Sequence, residues 1–111
     1  MEIKKENKKF DSIRFSLNED NREIARAYLY VLKNDLHEEP LGYIEDVFVD
    51  EEFRGIGFGT KIMKELIDEA KTLGCYKLIA TSRYSRDNVH EFYKNLGFIE
   101  FGFEFRLDIK N

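Results

Sequence analysis

"FRGIGFGTK", residues 53–61, sets three glycines and an arginine between an aromatic, β-branched run and a long amphipathic one. Glycine gives up much conformational freedom on folding, so such a cluster persists where backbone bends sharply or approaches something closely. The preceding run, "YIEDVFV" (residues 43–49), has the composition of a strand. In the following run Ile62, Leu66, Ala70 and Leu73 recur at helical spacing, Met63 and Ile67 widen the stripe, and Gly74 stands where a C-cap belongs. A glycine turn feeding a helix leaves the first-turn amides bare, with roughly half a positive charge from the helix dipole. Arg54 adds a full charge beside them, and a phosphate or pyrophosphate suits that place. Two nucleotide motifs fail here. Counted from Gly55, both the dinucleotide fingerprint and the P-loop require glycine where Thr60 stands.

Working outward, Ile13, Phe15 and Leu17 alternate within a strand expected over residues 10–17, and Asn18-Glu19-Asp20-Asn21 is turn chemistry. Residues 24–32 form a second strand candidate, although Ala25, Arg26 and Ala27 favour a helix; the flanking turn and third strand favour an antiparallel meander. Residues 34–40 read as a polar loop with the sole proline. "YKLIAT" (76–81) is a short strand, and residues 88–96 are a second helix packed through Val89, Phe92, Tyr93 and Leu96 and closed by Gly97. The tail alternates strictly, Ile99, Phe101, Phe103, Phe105, Leu107 and Ile109 against polar residues and Gly102, and predicts one long strand or two short ones. The order β-β-β-α-β-α-β describes an α/β domain with a mixed sheet.

The 111 residues suffice for one domain with one core, residues 1–111, of which 1–9 read as a flexible N-terminal segment. Ten Phe and six Tyr in a chain that is 42% hydrophobic favour a packed globule over disorder. No window approaches a membrane span and no secretory signal is legible, so no membrane partner is expected. Cys75 is alone, which fits a reducing cytoplasm. A net charge of −4 argues against a nucleic-acid partner, since phosphate neutralisation needs a basic face. With His37 and His90 the only histidines beside one cysteine, no metal site is expected.

The pattern R-G-x-G-x-G between strand and helix resembles the acetyl-CoA-binding motif of the GNAT superfamily of N-acetyltransferases, met by Arg54, Gly57 and Gly59. Downstream, "RDNVHEFYKNLGF" (86–98) resembles the family's second signature through Arg86, His90, Phe92 and Tyr93, with Val89 replacing an alanine. The resemblance covers about residues 41–109 and implies a mixed, mostly antiparallel sheet with two helices, the family's N-terminal helices being absent before Tyr43. It implies acetyl-CoA as co-substrate, its pyrophosphate cradled by the amides of Arg54, Gly55, Ile56, Gly57, Phe58, Gly59 and Thr60, with Asn88 a further contact. The backbone of Val47, Phe48 and Val49 would bond the pantetheine in a gap between this strand and the next. "GYIEDV" and "GCYKLI" are similar to the glucosamine-6-phosphate branch, whereas the basic loop "SRYSRDN" departs from it, so the acceptor is not transferred.

Acetyl transfer needs a neutral amine, a donor for the oxyanion and a proton for the leaving thiolate. The resemblance assigns the last role to Tyr93, and strand amides near Val49 suit the oxyanion. Glu45 and Asp46 face opposite sides of a regular strand, so only one can point at the acceptor unless a bulge intervenes. The resemblance, in which acidic residues near this position serve as base, favours Glu45. His90 reads as a packing or capping residue and Cys75 as a buried small one. The expected activity is direct transfer, in a ternary complex, to a small-molecule or peptide amine; the alternative is a non-catalytic acyl-CoA-binding or partner-regulated module. A homodimer is compatible with the tail, residues 101–107, as its interface.

Overall fold

The computed structural model describes residues 1–110. They divide between a compact unit, Met1–Ala80, and a second unit that begins at Thr81. In the first, β1 (Asp11–Glu19), β2 (Arg22–Leu32) and β3 (Leu41–Val49) form the antiparallel meander the turn chemistry predicts. After a 3-10 turn (Glu51–Phe53) and α1 (Phe58–Thr72), β4 (Leu78–Ala80) returns parallel to β3, giving the order β1-β2-β3-β4.

Burial explains why residues 24–32 are strand despite their alanines. Ala25, Ala27 and Leu29 alternate with half-buried neighbours and are wholly buried, whereas a helix would scatter them around its axis. The two alanines give α1 a smooth bed, and Ile62, Met63, Leu66 and Ala70 of α1 complete the core with Ile24 and Ile44. Ile24 and Ala25 are consecutive and both buried because the β1–β2 register slips there: Leu17 pairs with Ala25, Asn18 with Glu23, and Ile24 is the surplus residue. Leu73, placed on the apolar stripe by periodicity, is instead the C-cap and 41% exposed.

The second unit contains α2 (Asp87–Asn95). Both helices end in the same device, in which a left-handed glycine lets its own amide and the following one turn back. Gly74 and Cys75 donate to Lys71 and Ala70, and Gly97 and Phe98 donate to Lys94 and Tyr93. The strand expected over residues 99–109 is not formed: residues 99–110 join no ladder among the described residues. Its six alternating apolar side chains are 76–92% exposed. Alternation specifies two faces, but a strand also needs a neighbour to accept its backbone hydrogen bonds. The fourth strand is likewise shorter than its β-rich run, three residues instead of six, because only Leu78, Ile79 and Ala80 pair with β3.

Leu66 is fully buried at the centre of the α1 contact. Leu66→Ala should lower unfolding free energy by about 2–5 kcal/mol, read from urea denaturation followed by circular dichroism.

Candidate functional site

The glycine stretch begins where β3 stops. Asp50 accepts a hydrogen bond from the Glu52 amide at 3.0 Å and so caps the 3-10 turn. Arg22, at the start of β2, grips both Asp50 oxygens at 3.0 and 3.1 Å and Glu52 at 3.1 Å. Its guanidinium lies 5.2 Å from the centre of the Phe53 ring, which meets Phe58 edge-on at 5.9 Å. Arg54 reaches back, its Nε donating to the Val49 carbonyl at 2.8 Å. The loop is thereby fastened to β2, to β3 and to the first turn of α1.

Gly55 and Gly57 have φ of 79° and 94°, left-handed values that disfavour any residue with a Cβ, and a Cβ at either would point into open space. Gly57 is the N-cap of α1 and no side chain caps the helix. The α1 ladder starts with the Lys61 amide donating to Gly57 at 3.0 Å, so the amides of Phe58, Gly59 and Thr60 have no intrahelical partner. No acidic side chain occupies that turn. Bare donors, a helix dipole, no competing carboxylate and open space above the glycines fit a pyrophosphate.

The middle of β3 departs from regular pleating. Arg26 pairs with Phe48 and Tyr28 with Glu45, so one residue of β2 faces two of β3, Asp46 and Val47. Asp46 takes φ 55°, which costs a non-glycine residue roughly 1–2 kcal/mol and which aspartate tolerates better than most. The bulge is the exception that sequence reasoning allowed for, and it leaves both Glu45 and Asp46 exposed. Their surroundings differ. Asp46 is held by Arg26 through two 3.0 Å hydrogen bonds, and this pairing keeps its carboxyl below the usual range. Glu45 accepts one hydrogen bond, from the Tyr30 hydroxyl at 3.3 Å. Tyr30 stacks on Tyr43 with centroids 6.4 Å apart and lies 6.0 Å from Tyr28, so Glu45 borders a tyrosine cluster. Burial, then the nearby Glu45 carboxylate, raises the Tyr30 phenol.

β3 pairs with β4 only at Gly42, Tyr43 and Ile44. From Glu45 to Val49 it keeps β2 on one side and, among the described residues, has no strand on the other. Val47, Phe48 and Val49 thus lie on a backbone edge that one 3-10 turn connects to the glycine loop.

In the second unit Tyr93 is pressed edge-on between Phe92 at 5.4 Å and Phe98 at 5.3 Å, and desolvation raises its phenol. The "LGF" ending accounts for the clasp, since the left-handed Gly97 folds Phe98 back over the residue whose carbonyl it caps. His90 Nε2 lies 2.8 Å from the Arg83 carbonyl and Nδ1 3.8 Å from Asp87, a tie between loop and helix. Asn88 is exposed in the first turn of α2. Cys75 is half-buried and burial raises its thiol. Sequence reasoning passed over Arg22, Arg26 and Asp50. Their partners lie 20 to 30 residues away, a distance no local pattern spans.

The Glu52 amide, first, and Arg22 hold the Asp50 carboxyl below its ordinary value. Its stabilisation is therefore full above the unfolded-state pKa of about 3.9 and is lost as pH falls through the lower folded value. Asp50→Asn keeps a capping oxygen but no charge. Its deficit in urea midpoint should be fully developed at neutral pH and shrink in acid below that range.

Residues 2–98 match the family model described as the acetyltransferase (GNAT) family. Glucosamine 6-phosphate N-acetyltransferase of Trypanosoma brucei brucei is 38% identical over 69 residues, 62% of this chain and 45% of that protein. Glucosamine 6-phosphate N-acetyltransferase 1 of Oryza sativa subsp. japonica is 37% identical over 60 residues, 54% of this chain and 34% of that protein. The chain spans less than half the length of these two curated relatives. The crystal structure of glucosamine-6-phosphate N-acetyltransferase from Arabidopsis thaliana superposes with a TM-score of 0.81 at 27% identity, over 90% of this chain and 68% of that one. Among the described residues no helix is long and apolar enough to cross a membrane. With its open mixed sheet, its glycine turn and a family match over nearly its whole length, the chain belongs to the GNAT family of acetyltransferases.

Proposed function

We propose that the protein is an acetyl-CoA-dependent N-acetyltransferase that acts on a primary amine by direct transfer in a ternary complex. One observation carries this reading: the edge of β3 left free beyond Ile44 leads, through one short 3-10 turn, to a glycine loop and helix start with bare amides. Acetyl-CoA supplies the activated acetyl thioester. The amides from Gly55 to Thr60 receive its pyrophosphate, the Arg54 amide expected among them being bonded to the Glu51 carbonyl. The backbone of Val47, Phe48 and Val49 takes its pantetheine amides, and Asn88 is a further contact. The Tyr93 phenol, kept protonated by its apolar clasp, holds the proton that the departing sulfur needs. Glu45 takes a proton from the amine. Asp46 is spoken for by Arg26, which supports Glu45 in that role.

The acceptor is a small-molecule amine, with an amino-sugar phosphate the first candidate because two curated relatives bear that name; a peptide amine is the second. The reading places the reaction in the reducing cytoplasm, where the single half-buried thiol persists. Release of free CoA thiol across a panel of amines tests it. Tyr93→Phe should lower kcat at least about a hundredfold with acetyl-CoA binding retained. Gly57→Val should weaken acetyl-CoA binding about tenfold, because valine disfavours the left-handed backbone there. Binding without amine-dependent thiol release would mark a non-catalytic acyl-CoA-binding module.

The protein works as a homodimer joined through its tail. An antiparallel pairing of two tails centred on Phe105 sets Glu104 against Arg106 and Glu100 against Lys110, whereas shifting the centre to Glu104 opposes like charges. Exposure of Phe101, Phe103 and Phe105 supplies the apolar face. Phe103→Ser with Phe105→Ser should convert the sedimenting species from dimer to monomer.

A further inference from the structure

The bulge in β3 is imposed from a neighbouring strand. Asp46 and Val47 are the two residues set against one in β2, and Arg26, from β2, takes hold on either side of Val47. Its guanidinium grips the Asp46 carboxylate with Nε and Nη2, each at 3.0 Å, while its Cζ lies over the Phe48 ring, 4.5 Å from the centroid. Glu23, three residues earlier in β2, steadies the same guanidinium at 3.3 Å and also pairs with Arg14 of β1. A planar fork with two parallel bonds fixes orientation as well as distance, which a lysine in that place would not do. The side chain is mostly shielded, 28% exposed, although no sequence motif includes it.

We propose that Arg26 is a positioning residue that holds Asp46 in its left-handed conformation and so aims the free backbone edge of Val47, Phe48 and Val49 at acetyl-CoA. The proposal rests on the acetyl-CoA reading above. Regular pleating through Asp46 would turn each following peptide by one step, so that donors now on the open side of β3 would face β2. Arg26 itself touches no reacting atom; it acts through the backbone of β3.

Glycine at position 46 tests this directly, because glycine adopts that backbone without help. Arg26→Ala should weaken acetyl-CoA binding, measured by calorimetry, about tenfold, the size expected when left-handed strain is no longer opposed. Asp46→Gly alone should bind nearly as wild type, and adding Arg26→Ala to it should change affinity by less than about twofold. An equal loss from Arg26→Ala in both backgrounds would show instead that the arginine acts by its charge, and no loss in either would show that it does not act; each overturns the proposal. Amide hydrogen exchange over residues 45–48 supplies a readout without ligand. Exchange should quicken in Arg26→Ala and Asp46→Asn and be unchanged by Arg26→Ala in the Asp46→Gly background. If wild type binds no acetyl-CoA while exchange follows this pattern, the functional reading and the aiming of the edge at that ligand fall, and control of the bulge by Arg26 stands. If exchange does not respond, control of the bulge falls whatever the protein binds.

Discussion

Between Arg26 and Tyr28 the second strand advances two residues, while its neighbour advances three from Glu45 to Phe48. That mismatch is absorbed at Asp46, and much of what distinguishes this sheet sits around it. Before the bulge, at Gly42, Tyr43 and Ile44, β3 pairs with β4; beyond Ile44 it has β2 alone among the described residues. A parallel pair that separates leaves backbone donors and acceptors facing outward, ordinarily a hazard of uncontrolled pairing. Here the exposed length is short, bent, and flanked by Arg26, Asp46 and Glu45, which discourage another strand from closing on it.

A second constraint keeps the glycine loop from collapsing into its own hydrogen bonds. Bare amides at a helix start serve recognition only if they stay where they are. The Arg22 network, the Phe53–Phe58 contact and the Arg54 tie anchor both ends of the loop, so the left-handed glycines sit in a fixed frame. α1 is fixed in turn by its packing on β2, with Met63 and Leu66 fully buried in the core they share with the alanines of that strand. The pieces of the candidate site in the first unit are therefore set by β2, a strand that contributes no group to the chemistry.

The glycine turn, α1, α2 and the meander were legible because each is written locally: a helical stripe, a left-handed stop at Gly74 and Gly97, polar turns between alternating runs. Residues 24–32 show local propensity yielding to burial, since Ala25 and Ala27 are small for the sake of packing under α1. The splay of β3 was expected from family resemblance and not from any residue within it. A bulge at Glu45 and Asp46 was a possibility in the sequence, but the arginine that holds it stayed hidden because Arg26 and Asp46 are 20 positions apart. The tail misled for the opposite reason. Its alternation is the clearest in the chain, yet a strand is a relation between two segments and the sequence of one names no partner.

That tail has a practical side for anyone handling the protein. Phenylalanines at every second position from 101 to 105, bordered by Ile99 and Leu107 and interrupted by no proline, form the kind of segment that stacks into cross-β ribbons when crowded. Glu100, Glu104, Arg106 and Asp108 serve as its gatekeepers. Concentrated stocks near the isoelectric point of about 5.3 lose the colloidal repulsion that restrains such stacking, so clarity on storage depends on buffer choice as much as on how firmly the core is folded.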